Sequence, residues 1–278
     1  MISIIFVFTN FNNTDFTEKA LQSIESSDAN GTPVIVVDNG SNEFELSKLK
    51  ELEARFNNLE VIYSSENLGY FSGLNLGIEK AKKISNGDTI MIIGNNDLLF
   101  DEKIASQIYA RSELLDTYPI ISPSITTVDG TPQNPHVISK ISKIRELIYD
   151  IYHSSYFMAG VVIKAAALTH RFTDRKDEQQ FAVAQEIYQG YGACYILTPK
   201  YFELFNELPV DSFLMYEEFF LARQLNSKGF KFYYEPSIKI QHFCHASTGL
   251  IPGKLKWQYS KKAHKEYRKY VKVWSKEY

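Results

Sequence analysis

Between residues 2 and 93, four short apolar runs alternate with stretches of helical periodicity, and that alternation leaves the chain few architectures. The runs cover residues 2–8, 33–37, 61–63 and 89–93 and are rich in Ile, Val and Phe, side chains that suit strands buried on both faces. Between them, residues 15–26, 44–56 and 72–84 place apolar side chains at helical spacing, as with Phe16, Ala20, Leu21 and Ile24. Thr14 or Asp15 is expected to cap the first of these helices, because a short side-chain oxygen accepts one of its unpaired amide hydrogens. Such alternation predicts an α/β fold with a Rossmann-like, mostly parallel central sheet flanked by helices. Ligands of such sheets bind beyond the carboxyl ends of the strands.

The second half is less regular. Residues 129–135 form a turn or loop, 141–152 a helix, 190–199 a return to strand character, 199–206 and 219–227 helices, and 230–234 and 238–242 two further strands. Residues 170–189 are charged and poor in large aliphatics, which reads as a loop or an exposed helix. With 44% hydrophobic and 23% charged residues over 278 positions, the chain can bury a sizeable core, and disordered or collagen-like classes are excluded. A net charge of −3 argues against nucleic acid as a partner. That charge is unevenly placed: residues 254–278 hold nine Lys/Arg and two Glu, a local +7, which leaves −10 for residues 1–253. Cys194 and Cys244 are too few for a disulfide framework and form no CxxC pair, so a reducing, cytoplasmic setting is expected. The apolar start lacks a basic flank and reads as a first strand rather than a signal peptide, and no run reaches the roughly 18 apolar residues of a membrane span.

The strand ends carry the polar residues worth testing for chemistry. They are Thr9, Asn10 and Asn12 after the first strand, Asp38 to Ser41 after the second, Glu66 and Asn67 after the third, and Asn95, Asn96 and Asp97 after the fourth. Any one of them suits a turn; recurrence on one sheet edge points to a site. The first turn holds no glycine, which argues against a dinucleotide, and Walker A is absent. Gly69, Gly73 and Gly77 recur every four residues, a spacing that favours close helix packing over phosphate binding. Asp97, flanked by two asparagines, offers hard oxygen ligands to Mg²⁺ or Mn²⁺, whose shell is usually completed by water and substrate phosphate.

Val36-Val37-Asp38-Asn39-Gly40-Ser41, the stretch Glu66-Asn67-Leu68-Gly69-Tyr70-Phe71-Ser72-Gly73-Leu74-Asn75-Leu76-Gly77, and Asn95-Asn96-Asp97 resemble successive motifs of the family 2 glycosyltransferases, which have the GT-A fold. Met215-Tyr216-Glu217-Glu218-Phe219 is similar to the family's ED segment, and His242 to its late histidine. The resemblance implies a GT-A catalytic domain over residues 1–250, with a nucleotide-sugar half (1–110) and an acceptor half (111–250), followed by a basic aromatic tail (251–278). It implies that Thr9, Asn10, Asn12, Asp38, Asn67, Gly73, Asn75, Asn95 and Asn96 line the donor site. Asp97 would hold a divalent cation (Mg²⁺ or Mn²⁺) with His242; the first carboxylate of the family's DxD is Asn95 in this chain. Gly192 and Ala193 would leave room for the acceptor. Glu218 stands where the family has its general base, with Glu217 as competitor.

The implied reaction is inverting transfer of a sugar from a nucleotide-sugar donor to a carbohydrate or lipid-linked glycan acceptor, in cell-surface polysaccharide synthesis. The tail interleaves Trp257, Tyr259, Tyr267, Tyr270 and Trp274 with Lys and Arg, and read as a helix it would meet an anionic membrane at its cytoplasmic face or pack on the body with a solvated basic side. Two rival functions are a sugar-nucleotide nucleotidyltransferase, which needs a Gly-rich basic loop that is absent after the first strand, and an inactive nucleotide-sugar-binding module.

Overall fold

The computed structural model describes residues 3–85, 88–139, 141–168, 180–244 and 253–274. Strands β1 (Ser3–Asn10), β2 (Val34–Asn39), β3 (Leu59–Ser64) and β4 (Thr89–Asn95) alternate with helices α1 (Thr14–Glu25), α2 (Glu43–Arg55) and α3 (Tyr70–Ile84). Their side chains alternate between two cores, as period two requires: Ile4, Phe6 and Phe8 of β1 pack on one face of the sheet, Ile5 and Val7 on the other. Helix α1 begins at Thr14, and its N-cap is Asn13 rather than Thr14 or Asp15, with no side-chain capping bond. The Asn13 amide is committed elsewhere, accepting from Phe11 N–H and donating to Asn96. Gly77 does pack closely: a Cβ there would lie 2.3 Å from Val7 Cγ1.

After β5 (Leu98–Phe100), α4 (Ile104–Tyr109) and α5 (Ser112–Thr117) come β6 (Ile120–Thr127), α6 (Lys143–Ser154), α7 (Tyr156–Leu168), β7 (Gln185–Ile187), β8 (Cys194–Leu197), α8 (Pro199–Leu204), α9 (Glu217–Asn226), β9 (Phe232–His242) and α10 (Gly253–Tyr270). One sheet runs β3-β2-β1-β4-β8-β6-β9-β5, with β7 also on β9. The first four strands are parallel; β8 is antiparallel to β4 and β6. The carboxyl ends of β1, β2, β4, β6 and β9 and the amino end of β8 therefore share one edge. The two late strands expected at 230–234 and 238–242 are one strand, which passes Pro236 by a register shift opposite Pro123 and Ser124. Within the stretch read as loop or exposed helix, Gln185–Ile187 is strand β7, and residues 169–179 lie outside the described residues.

The tail is helical and packs on the body. Trp257 donates its indole N–H to Tyr152 O at 3.1 Å, and Trp257 and Tyr267 are buried, not turned to a headgroup layer. Among the described residues no helix is long and apolar enough to cross a membrane.

Candidate active site

The floor of the carboxyl edge is a buried polar network. Asn10 and Asp38 are register partners on β1 and β2, and the Asn10 amide donates to Asp38 Oδ1 at 2.9 Å while Ser41 N–H donates to Oδ2 at 3.0 Å. Asn96 donates to Asn10 Oδ1, Asn13 Oδ1 and Thr17 Oγ1 at 2.7–3.0 Å. Asn10, Asp38 and Asn96 are thus buried and joined through Asn10, a rigid base under the edge rather than its open wall. Asn12, in the left-handed region at φ 53°, ties the first loop to the second: its Oδ1 accepts from Asn42 N–H at 2.9 Å and its own N–H donates to Ser41 Oγ at 2.8 Å.

The third loop is pinned by Asn39, which donates to Gly69 O and accepts from Leu68 N–H, both at 2.9 Å. Asn67 Oδ1 accepts from Gly69 N–H at 2.9 Å. Gly73, in the first turn of α3, lets that helix approach β1 and β2: a Cβ would sit 3.0 Å from Thr9 Cγ2 and 3.2 Å from Asn39 Nδ2. Asn75 turns away from the edge and spends both polar atoms on the Leu208 backbone, at 3.0 and 2.8 Å.

Asp97 and His242 meet beside this floor, both buried, with Asp97 Oδ1 3.0 Å from His242 Nε2. His242 Nδ1 lies 2.7 Å from Gln133 Oε1, and the Gln133 amide nitrogen donates to the Tyr191 hydroxyl at 3.2 Å. A carbonyl oxygen only accepts, so Nδ1 carries a proton and donates it to Gln133, and Nε2 is the atom that faces the Asp97 carboxylate. That approach is favourable with a proton or a cation between the two atoms. Their separation equals that of adjacent ligands in an octahedral shell with bonds of about 2.1 Å, so the pair fits Mg²⁺ or Mn²⁺. Among the described residues no group of three or more His, Cys, Asp or Glu converges. Asp97 and His242 would be two ligands of a shell that water and phosphate help to complete. Asn95 borders them, its N–H donating to Ala193 O at 2.9 Å.

The amino end of α9 meets the edge at Gly192, just before β8. Met215 and Tyr216 both adopt left-handed backbone, φ 76° and 66°, conformations that side-chain-bearing residues resist. The double turn delivers Glu217 and Glu218 into the first turn of the helix, where its dipole favours carboxylates. Glu217 is buried, its Oε1 accepting from Met215 N–H at 2.8 Å. Burial, then the charge of Glu218, pushes its pKa well up from the usual carboxylate range, which favours its protonated form. Glu218 is half-buried and lies against Gly192, where a Cβ would come 2.5 Å from Glu218 Oε1. The missing side chain of Gly192 is therefore what admits this carboxylate. Tyr70 donates its hydroxyl to Gly192 O at 2.7 Å. Its phenol is held well above its ordinary pKa by burial first, then by Cys194, Glu217, Glu218 and Asp97. The acidic groups of the α9 end and of the Asp97 turn thus act on one hydroxyl.

The sequence model described as Glycosyl transferase family 2 matches residues 5–154, more than half of the chain. The chain belongs to glycosyl transferase family 2. Among solved structures this glycosyltransferase is similar to GalNAc-T7, crystallised with UDP, GalNAc and Mn²⁺, at TM-score 0.61 and 12% identity, over 87% of this chain and 43% of that one. The likeness establishes the GT-A fold, and the chain spans less than half the length of that structure. No curated protein matches the sequence.

Several residues that shape the site of this family 2 glycosyltransferase escaped sequence reasoning. Asn39 resembled an ordinary turn residue, and only its two bonds to the 68–69 backbone reveal it as the clamp of the third loop. Gln133, in a loop nearly forty residues beyond Asp97, accepts the Nδ1–H of His242, and nothing local in sequence signals that. Gly40 had a readable signal, since it follows a strand and sits between Asn and Ser; its φ of 79° is matched by a packing demand, for a Cβ would meet Glu66 C at 2.7 Å.

Proposed function

We propose that this glycosyltransferase moves a sugar from a nucleotide-sugar donor to a carbohydrate or lipid-linked glycan acceptor with inversion at the anomeric carbon. The reading is carried by one observation: Glu218 lies against Gly192, one residue from Tyr191, whose ring meets that of His242, the partner of Asp97. The acceptor hydroxyl attacks the anomeric carbon from the Glu218 side, a new C–O bond forms, and the bond to the diphosphate breaks. Glu218, the more exposed of the two glutamates, takes the hydroxyl proton. Glu217, bonded to Met215 N–H, holds the turn that aims its neighbour. Thr9, Asn12, Asn67, Gly73 and Asn95 border the donor over the Asn10–Asp38–Asn96 floor; Asn75 supports the acceptor side through Leu208. Gly192 and Ala193 form the strip along which acceptor and base meet. A divalent cation held by Asp97 and His242 would neutralise charge growing on the leaving diphosphate.

The test is nucleoside diphosphate release from a panel of sugar nucleotides with Mn²⁺ or Mg²⁺ and glycan acceptors, with the anomeric configuration of the product read by NMR. Glu218→Gln should retain donor binding and lose transfer by at least about 10²-fold, and Asp97→Ala should weaken cation-dependent donor binding. Full transfer by Glu218→Gln would remove it as the base, and a retained anomeric configuration would end the inverting mechanism.

A further inference from the structure

Helix α6 is amphipathic in reverse. Its polar side faces the protein: Glu146, 1% exposed, accepts from Arg268 Nη1 at 2.7 Å and from the Tyr267 hydroxyl. Asp150 Oδ1 accepts from Arg268 Nε at 2.7 Å and from His264 Nε2 at 2.9 Å, and the His153 ring stacks on His264 at 4.1 Å. These bonds zip α6 to α10 and leave the apolar side of α6 outward. Ile144, Ile148 and Ile151 form one stripe at positions i, i+4 and i+7, with Ile144 73% exposed. Helix α7 continues the surface. Its sequence Tyr-Phe-Met-Ala-Gly-Val-Val-Ile-Lys-Ala-Ala-Ala-Leu is apolar on every side, yet only Ala159 is buried among residues 156–166, and Phe157 is 77% exposed. A helix apolar all round belongs in a core or against lipid.

The border of this patch is basic. α10 lies along the α6–α7 junction, where Trp257 meets the Tyr156 ring at 5.7 Å and Lys261 Nζ donates to Ser154 O at 2.9 Å. It carries six lysines and one arginine against one glutamate, with Lys254, Lys262 and Lys265 exposed. Lys261, Lys262 and Lys265 also line an open cleft of about 640 Å³ between α10 and α6. A second copy docked on the same patch would bring two lysine borders together, which like charges oppose. An anionic surface is complementary instead. The apolar run of α7, Tyr156–Leu168, is 13 residues, short of the roughly 20 that a membrane span needs, and suits lying in the bilayer interface.

We propose that the outward faces of α6 and α7, with the lysine row of α10, dock on an anionic phospholipid bilayer. The isoleucines of α6 and Phe157 enter the boundary between headgroups and acyl chains, and Lys254, Lys262 and Lys265 meet lipid phosphates; Lys164 of α7 reaches the same level by its long stem. Because the Tyr216 hydroxyl bonds His264 Nδ1 at 2.9 Å, the docked helix touches the turn that delivers Glu217 and Glu218. The acceptor side therefore lies next to the bilayer, as a lipid-linked acceptor requires; the docking itself does not depend on that acceptor and is measured without turnover.

The experiment is flotation of the full chain with vesicles of phosphatidylcholine alone or mixed with phosphatidylglycerol. Binding is expected only to the mixed vesicles and should fall with salt. Ile148→Ser combined with Phe157→Ser, and separately Lys262→Glu combined with Lys265→Glu, should each lower partitioning at least about tenfold with an unchanged Tm, since all four side chains are exposed. Absence of wild-type binding to the mixed vesicles, or serine variants that bind as wild type does, would overturn the proposal. A dimer that the serine pair dissolves, without vesicle binding, would overturn it too and assign the face to a second copy.

Discussion

Gly192→Ala separates catalysis from stability at the proposed base. The added Cβ would lie 2.5 Å from Glu218 Oε1 and 3.1 Å from Glu218 Cδ, whereas carbon contacts are comfortable from about 3.5 Å. The carboxyl group must therefore retreat by about 1 Å. It stands at the end of a flexible side chain, and the backbone at Gly192 lies outside the left-handed region, so the fold should lose less than about 1 kcal/mol. A catalytic group misplaced by about 1 Å costs roughly 10²-fold in rate, about 2.7 kcal/mol of barrier. The assay is steady-state transfer with the best donor and acceptor, alongside calorimetric donor binding and a thermal melt. The expected result is kcat down about 10²-fold, donor affinity unchanged and Tm nearly unchanged. In a Glu218→Gln background the same alanine should cost little more, because both changes disable one group. A kcat within about twofold of wild type would show that the position of Glu218 does not matter to the reaction, and the assignment of the base would fall.

Two further outcomes follow from buried charges. Glu217 holds its proton up to about pH 8 when folded, against an ordinary value of 4.5, so between those values the unfolded chain binds fewer protons and stability falls as pH rises. Glu217→Gln keeps the acceptor for Met215 N–H and lacks that dependence, so its stability advantage in urea unfolding should grow from about pH 5 to about pH 8, by a few kcal/mol at most; an advantage independent of pH would mean that Glu217 is ionised in the folded chain. Arg268→Met would leave Glu146, 1% exposed in its side chain, without its cation, a loss of about 3–5 kcal/mol in urea unfolding. Adding Glu146→Gln should recover most of it, and no recovery would show that Arg268 acts through packing instead.

How far the sequence alone could be read depended on whether the determining forces were local. Strands β1 to β4 and the helices between them announce themselves through β-branched runs and helical spacing, because each buries a regular stripe whatever its neighbours are. The residues at the strand ends were legible for the same reason: turn chemistry and ligand chemistry use the same short polar side chains at the same places. Helix α6 was found by its period, yet its orientation was not, since hydrophobic spacing says which side is apolar and not which side faces inward. Only the ion pairs from Arg268 and the stacked His264 turn Glu146 and His153 in and the isoleucines out. The break expected between 234 and 238 likewise disappears, because pairing with β6 absorbs Pro236 in a register shift.

The site divides along the same line. The motifs from Asp38 to Asp97 lie within residues 5–154, which place the chain in its family, and the α/β sheet was legible because backbone propensity and binary patterning act over a few residues. The tertiary structure decided the rest: that Asp97 meets His242, whose Nδ1–H is taken by Gln133, that Asn10, Asp38 and Asn96 form a closed floor, and that Asn75 serves the Leu208 backbone. It also turned Trp257 and Tyr267 inward and left Phe157 and Ile163 of α7 exposed. These outcomes join residues far apart in the chain, and desolvation and hydrogen-bond geometry take their value only once the sheet has brought those residues to a common edge.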